Sequence, residues 1–304
     1  NESLSDSSIR LLTLNTWGLP IWYPGSNKQY RYPKICNALA KKDFNIICLQ
    51  EVFDQKLKTM LFNTMQDKGY KSSNDFDCTR KVKNLVKMDC EGGLLTWSKY
   101  PIVGHVFIPF PIEKTMNFEE KIGRKGFTIT KIQAPKGLIS VINTHLYAGN
   151  SEKCESFRLK QIQFIESYLS AKNGDIQNPV FFAGDFNTYS SEGKNSTCYD
   201  YIINQLNFCD TEIGTKENTF TYDHKTNFFA ALNHSRQKLD HIFYKCNNAQ
   251  MSISVDQSRV QFIHEESVSD HNGYSSMINL TYLDQIHTLT SSAAETSRTI
   301  SKTQ

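Results

Sequence analysis

The 304-residue sequence has no apolar run approaching the roughly 18 residues that cross a bilayer as a helix, so a helical membrane protein is excluded from the readings. It has no strong excess of either charge: the formal net charge is +3, short of the dense Lys/Arg stripe on which a dedicated nucleic-acid binder depends. The nearest approach is the run Arg80, Lys81, Lys83 and Lys87, read as a solvated face or loop. There is no Cys-x-x-Cys pair, which argues against a structural zinc site. Gly-x-Ser-x-Gly, Gly-x4-Gly-Lys-[Ser/Thr] and His-Glu-x-x-His are all missing, so serine hydrolases, P-loop NTPases and zincins lose their defining residues. No internal repeat or Pro/Gly/Ser linker interrupts the chain before the polar stretch Ser291 to Gln304.

What is present suits a packed fold. With 39% hydrophobic, 12% aromatic and 21% charged residues, the chain has ample core material and too little charge for disorder. One catalytic domain over residues 1–285 is expected, with a disordered tail over 286–304. Of the eight cysteines, Cys36 and Cys48 sit in core-like segments, and Cys78 with Cys90 is the first pair to test for a disulfide. Sequons stand at Asn195, Asn233 and Asn279. Asn1 to Ser8 are polar rather than signal-like. A secreted or membrane-associated extracellular location is the expectation, with a cytoplasmic one as the alternative.

Short apolar or alternating runs predict strands at Ile9–Asn15, Ile46–Gln50, Gly93–Trp97, Phe127–Ile132, Leu138–Thr144, Pro179–Ala183, Leu239–Tyr244 and Ser275–Leu280. Helical spacing marks Tyr32–Lys42, with Pro33 in its first turn, and Phe157–Leu169. The pattern is α/β. Two mixed β-sheets packed face to face and flanked by helices, a four-layer α/β/β/α sandwich, would gather strand ends along one edge.

Those strand ends carry Asn15, Glu51, His145, the pair Asp185 and Asn187, Asp240, and Asp270 with His271. Any one of them alone is read as a turn former, a helix cap or a satisfied histidine. Together they supply hard oxygen ligands for a divalent cation, a base for water and donors for non-bridging phosphoryl oxygens.

The segments Leu14–Pro20, Leu49–Phe53, Asn143–Leu146, Ala183–Asn187, Leu239–Phe243 and Ser269–His271 resemble, in order, the motif series of the endonuclease/exonuclease/phosphatase superfamily, whose fold is that of DNase I. Gly92–Ile102, Gly123–Phe127, Asn143–Tyr147 and Thr219–Asn227 are most similar to the neutral and bacterial sphingomyelinases. The resemblance implies a monomeric, metal-dependent phosphodiesterase of phospholipase C type, cleaving sphingomyelin or a related choline phospholipid at a membrane surface. Mg²⁺ is the implied cofactor, with Mn²⁺ and Co²⁺ as alternatives. It implies Glu51 as central metal ligand with Asn15 beside it, His271 as general base, Asp240 as its orienting carboxylate, and His145 and Asn187 as donors to phosphoryl oxygens. Asp185 is implied as an acid or electrostatic helper for the leaving group. Asp270 is left three roles: orienting His271, holding a metal-bound water, or supporting the loop.

The family's peripheral cation site is matched only by Gln55 and Glu91, since Cys90 stands where an acid is expected and Asp89 compensates only with a rearranged backbone. One central cation is therefore expected. Trp22 and Tyr23, among Pro20, Pro24 and Gly25, are candidates for membrane contact, as are Phe228 and Phe229. Phe107 and Phe110 are expected in the core. Lys125 either meets the headgroup phosphate or caps a turn. A nuclease or inositol-phosphate phosphatase with the same constellation, and a non-catalytic membrane-binding module, are the competing readings.

Overall fold

The computed structural model describes residues 8–20, 27–82, 86–171, 178–188, 190–191, 194–213, 219–232 and 234–282. In chain order these form β1 (Ser8–Gly18), α1 (Lys28–Lys41), β2 (Ile46–Val52), α2 (Gln55–Asp67), β3 (Lys71–Ser72), β4 (Thr79–Val82), β5 (Val86–Asp89), β6 (Leu95–Ser98), β7 (Ile102–Pro109) and α3 (Phe118–Gly123). There follow β8 (Gly126–Ala134), β9 (Gly137–His145), α4 (Glu152–Ala171), β10 (Val180–Asp185), β11 (Ser190–Ser191), β12 (Lys194–Asn195), α5 (Thr197–Asn204), β13 (Cys209–Asp210), β14 (Asp240–Lys245), β15 (Met251–Gln261) and β16 (Gly273–Tyr282).

Two six-stranded sheets dominate, ordered β15-β16-β1-β2-β6-β3 and β13-β14-β10-β9-β8-β7. Both are mixed: β1–β2 and β9–β10 are parallel pairs, whereas β1–β16 and β10–β14 are antiparallel. The period-2 pattern of β1 explains the layering. Ile9 and Leu11 face the second sheet among Ile46, Val141, Phe181 and Ile278. Leu12 and Leu14 face outward onto Ile35 and Leu39 of α1 and Leu57 and Leu61 of α2. On the far side, Ile162 and Ile165 of α4 cover Phe182 and Phe243 of the second sheet. The result is the four-layer α/β/β/α sandwich.

The floor between the sheets is polar at one place. Gln50 Nε2 donates to Asn143 Oδ1 at 2.8 Å and to Thr13 Oγ1 at 3.0 Å, while Asn143 Nδ2 donates to the Leu49 carbonyl at 3.0 Å. These buried amides tie β1 and β2 to β9 one residue before Glu51 and two before His145. Such bonds are strong in the low-dielectric interior and costly to leave unmade.

The helix predicted from Tyr32 starts a turn earlier, at Lys28, so Pro33 lies inside it rather than in its first turn. Asn27, in the left-handed region at φ 44°, accepts the Tyr30 and Arg31 N–H groups through its carbonyl. The early start buries the Arg31 side chain, which no apolar periodicity registers. α4 likewise begins ahead of its apolar stripe, where Ser151 Oγ caps the Cys154 N–H and Glu152 and Glu155 occupy the first turn.

Cys78 and Cys90 are joined by a disulfide. The basic run falls on the β4–β5 antiparallel pair, with Lys83 outside the described residues. Sequon Asn233 and the tail 286–304 also lie outside them. Neither acid proposed for the peripheral site is turned to solvent. Asp89 Oδ1 accepts the buried Lys58 ammonium at 3.1 Å and its Oδ2 accepts the Glu91 and Gly93 N–H groups, while Glu91 Oε2 is held by Asn74 and His105. Asp89 therefore does not compensate for Cys90, because Lys58 already supplies its positive charge.

Lys58 and Asp89 are 1% and 2% exposed, so removing one charge strands the other out of water. Asp89→Asn is expected to lower the unfolding free energy by about 3–5 kcal/mol in denaturant titration.

Candidate active site

Sheet register brings the catalytic candidates of the second sheet into one row. On adjacent strands, Asp185 pairs with His145 of β9 on one side and with Asp240 of β14 on the other. Cross-strand partners point to the same face, so the three side chains project together. Gly184 makes this possible: a Cβ there would lie 2.1 Å from the Thr144 carbonyl oxygen, and its φ of 153° suits only glycine. From the first sheet, Asn15 and Glu51 enter the same space at the ends of the parallel pair β1–β2. Asp270 and His271 arrive on the turn that leads into β16.

Asp185 Oδ2 is the hub of the cluster. Asn15 Nδ2 donates to it at 2.9 Å, and the Nε2 atoms of His145 and His271 stand 3.5 and 3.8 Å away. Its Oδ1 accepts the Asn187 N–H at 2.9 Å. Asn15 Nδ2 also reaches Glu51 Oε1 at 3.1 Å, so one neutral amide joins the carboxylates of the two sheets. On the far side of the imidazole, Asp240 Oδ2 lies 2.7 Å from His271 Nδ1, so that bond fixes the tautomer with Nε2 toward the cleft. Trp17, Glu51 and Asn187 all take left-handed backbone angles, with φ of 47°, 57° and 48°. For non-glycine residues each costs about 1–2 kcal/mol, and three in one cleft mark a place where side-chain position outweighs backbone comfort.

The charges shift one another in opposite directions. Burial pushes the Glu51 carboxyl up to about 7, and the neighbouring Asp270 charge adds to it. Burial lowers the His145 imidazole to about 3, assisted by Lys125, so it is neutral. Burial works against the charged form of Asp185, yet the two histidines and the Asn15 amide hold its pKa below the ordinary value. Burial raises Asp240. His271 is raised well above the ordinary histidine value because Asp240 and Asp185 outweigh its burial.

Glu51 Oε2 is buried and has no hydrogen-bond partner, which is costly unless something positive binds there. A hard divalent cation fits: the unpartnered Glu51 oxygen and the Asp270 carboxylate that raises it are oxygen ligands, with the Asn15 amide beside them and its Oδ1 accepting the Trp17 N–H, and a cation explains why acids that repel one another are gathered here. Glu51, Asn15 and Asp270 are the residues that would hold it. A tighter grouping exists in Asp185, Asp240 and His271, whose ligand atoms lie within 4.8 Å of one another. Since His271 Nδ1 is already engaged by Asp240, that grouping suits proton transfer better than metal binding. A third grouping, Cys78, Cys90 and Glu91, is excluded because its sulfurs form the disulfide.

Lys125 caps no turn. It is buried, and its ammonium donates to Glu120 Oε1 at 2.8 Å and to the Leu146 carbonyl at 2.9 Å, the same carbonyl that accepts Asn187 Nδ2 at 3.2 Å. Trp22 and Tyr23 lie outside the described residues. Phe110 is buried and Phe107 half-buried, whereas Phe228 is 71% exposed. Residues that carried no sequence signal of their own also shape the cleft. Thr221 Oγ1 accepts the N–H groups of Leu239 and Asp240 at 3.0 Å each, and Lys238 is buried between Asp210 and Glu212. Thr221 lay inside a segment singled out by resemblance, and that was its only sequence clue.

A proton on Glu51 would compete with a divalent cation held there, so the affinity for such a cation is expected to rise as pH rises through about 7, where this carboxyl loses its proton. Glu51→Gln should lower that affinity at least about tenfold without changing the fold, as isothermal titration calorimetry and circular dichroism would record.

Comparison with known proteins agrees with this geometry. The chain is 25% identical over 252 residues to sphingomyelinase C of Bacillus cereus, covering 79% of this chain and 74% of that one. It is 24% identical over 255 residues to phospholipase C of Staphylococcus aureus, covering 79% and 73% respectively. Its fold matches a mutant of beta toxin from Staphylococcus aureus with bound magnesium ions at a TM-score of 0.67, with 20% identity over 89% of this chain and 99% of the other. The model of the Endonuclease/Exonuclease/phosphatase family matches residues 12–271, which includes every strand end described above, and the chain belongs to that family.

Proposed function

We propose that the chain is a divalent-cation-dependent phosphodiesterase that hydrolyses sphingomyelin, or a related choline phospholipid, to a lipid alcohol and phosphocholine. The observation that carries the reading is the line Asp240–His271–Asp185, with the 2.7 Å bond on one imidazole nitrogen and the cleft on the other, set beside the partnerless oxygen of Glu51. The sphingomyelinase and phospholipase C relatives support the choice of substrate, and the exposed Phe228 supports an encounter with lipid.

In the attack, His271 Nε2 accepts the proton of a water as its oxygen bonds to phosphorus and the bond from phosphorus to the lipid oxygen breaks, the departing alkoxide taking up a proton from bulk water. Asp240 meanwhile holds the Nδ1 proton and stabilises the imidazolium as it forms. The Asp185 carboxyl, held below the ordinary range by the two histidines and the Asn15 amide against its burial, adds a second negative charge beside that imidazolium, in keeping with an electrostatic role. His145, kept neutral, and the Asn187 amide donate to the phosphoryl oxygens, where charge accumulates in the transition state. Glu51, Asn15 and Asp270 would hold the cation, which would supply positive charge where negative charge gathers in the transition state.

The protein is read as a monomer that meets its phospholipid at a membrane surface. No helix among the described residues is long and apolar enough to cross a membrane. The Cys78–Cys90 disulfide supports an oxidising, extracellular setting.

With Mg²⁺, the purified protein is expected to release phosphocholine from sphingomyelin vesicles and to stop on chelation. Undiminished activity in excess chelator, or cleavage of abasic DNA or phosphoinositides with none of the lipid, overturns the reading. Because His271 must be neutral to act and its two acidic neighbours favour the charged form, activity should appear only as pH rises past the ordinary histidine value. Asp240→Asn removes one of those charges: the acid limb of the pH–rate profile should move to lower pH while kcat falls about 10³–10⁴-fold.

A further inference from the structure

Arg31 projects from α1 into the protein and is fully buried at 0% exposure. A buried guanidinium needs acceptors for its fork of N–H groups, and this one finds three backbone carbonyls from opposite ends of the chain. Nη1 donates to the Thr16 carbonyl at 2.9 Å and the Val268 carbonyl at 3.2 Å, and Nη2 donates to the Trp17 carbonyl at 2.7 Å. Thr16 and Trp17 directly follow Asn15, and Val268 opens the turn Ser269-Asp270-His271. The Trp17 ring lies over the guanidinium with its centroid 4.6 Å away, and Trp17, whose carbonyl meets Nη2, has a left-handed φ of 47°.

We propose that Arg31 is a positioning residue that sets the distance between the two halves of the reaction centre, the Asn15 strand end that serves the cation and the turn that carries Asp270 and His271. These two segments belong to β1 and to the approach to β16, so their strands are neighbours in one sheet, but both extend beyond the last ladder pair, Thr13 with Tyr274. The pairing of β1 with β2 runs on past Asn15, but that of β1 with β16 stops short of the reactive groups, and the guanidinium continues the connection between these two segments where their ladder ends. A planar fork does this for three carbonyls at once, whereas an ammonium donates from a single point. The carboxylates of Asp270 and Glu51 both act favourably on the buried charge, so the same group also offsets the gathered acids.

The assignment rests on the phosphodiesterase reading for its kinetic arm alone. The test uses Arg31→Lys, which conserves charge, so that any change reports geometry. Two quantities are measured on the full chain: Mn²⁺ affinity by electron paramagnetic resonance, which requires no turnover, and kcat and KM on sphingomyelin vesicles. The variant is expected to melt cooperatively, to bind Mn²⁺ about tenfold more weakly, and to lose about 10²-fold in kcat with KM within about threefold, as for a misplacement near 1 Å. Mn²⁺ affinity and kcat both within about twofold of the parent overturn the assignment. If Arg31→Lys fails to fold, Arg31→Gln, which keeps a planar amide donor, takes its place with the same expected losses; absence of a cooperative melt in both makes Arg31 a folding requirement and also overturns it. A parent protein that binds Mn²⁺ but cleaves no phosphodiester sinks the functional reading, while the affinity comparison still decides the role of Arg31.

Discussion

The buried amide bridge between Gln50 and Asn143 is the contact on which the geometry of the cleft depends. Apolar packing holds two sheets together but tolerates sliding, because dispersion and the hydrophobic effect have little direction. A pair of side-chain amides with bonds of 2.8 and 3.0 Å between β2 and β9 does not. It fixes one register of sheet on sheet, and it does so immediately beneath Glu51 and His145. With that offset set, Asn15 can bond the Asp185 carboxylate of the opposite sheet, and acids of one sheet meet histidines of the other, Glu51 with His145 and Asp185 with His271.

The cleft above that bridge is an arrangement of charges that would not coexist without their partners. Glu51, Asp185, Asp240 and Asp270 crowd one space, and their responses differ because their neighbours differ. Asp185 faces two imidazoles and stays ionised; Glu51 faces an amide and another acid, and its carboxyl rises to about 7. One histidine is kept neutral by burial and the other is driven toward its charged form by two acids. Groups of the same type thus acquire separate duties from their surroundings. Lys125, Arg31 and Lys238 each contribute positive charge from behind the reacting surface, and each is bonded mainly to backbone carbonyls or acids that hold a neighbouring segment in place.

Much of this was legible beforehand. The eight expected strands are all present, most of them within a residue or two of their predicted limits, because a continuous apolar run reports a strand buried on both faces and an alternating one a strand buried on one. The strand-end residues Asn15, Glu51, His145, Asp185, Asp240 and His271 lie within one cleft. The long edge strand β15 went unread, since only one of its faces is covered and its sequence alternates weakly, Met251-Ser-Ile-Ser-Val255 giving way to Asp256-Gln-Ser-Arg259. α2 was hidden for a different reason: its buried face includes Lys58, whose partner Asp89 lies 31 residues further on. Asp89 was considered as a cation ligand for want of that information.

The layer pattern, the set of reactive side chains and their order along the chain follow from periodicity and residue type, which are local properties. Which acid is paired, which histidine is driven toward its charged form, which oxygen of Glu51 is left without a donor, and how Arg31 joins segments more than 230 residues apart follow from the packed fold alone. Those are matters of distance and dielectric, and both are set by contacts between residues remote in sequence.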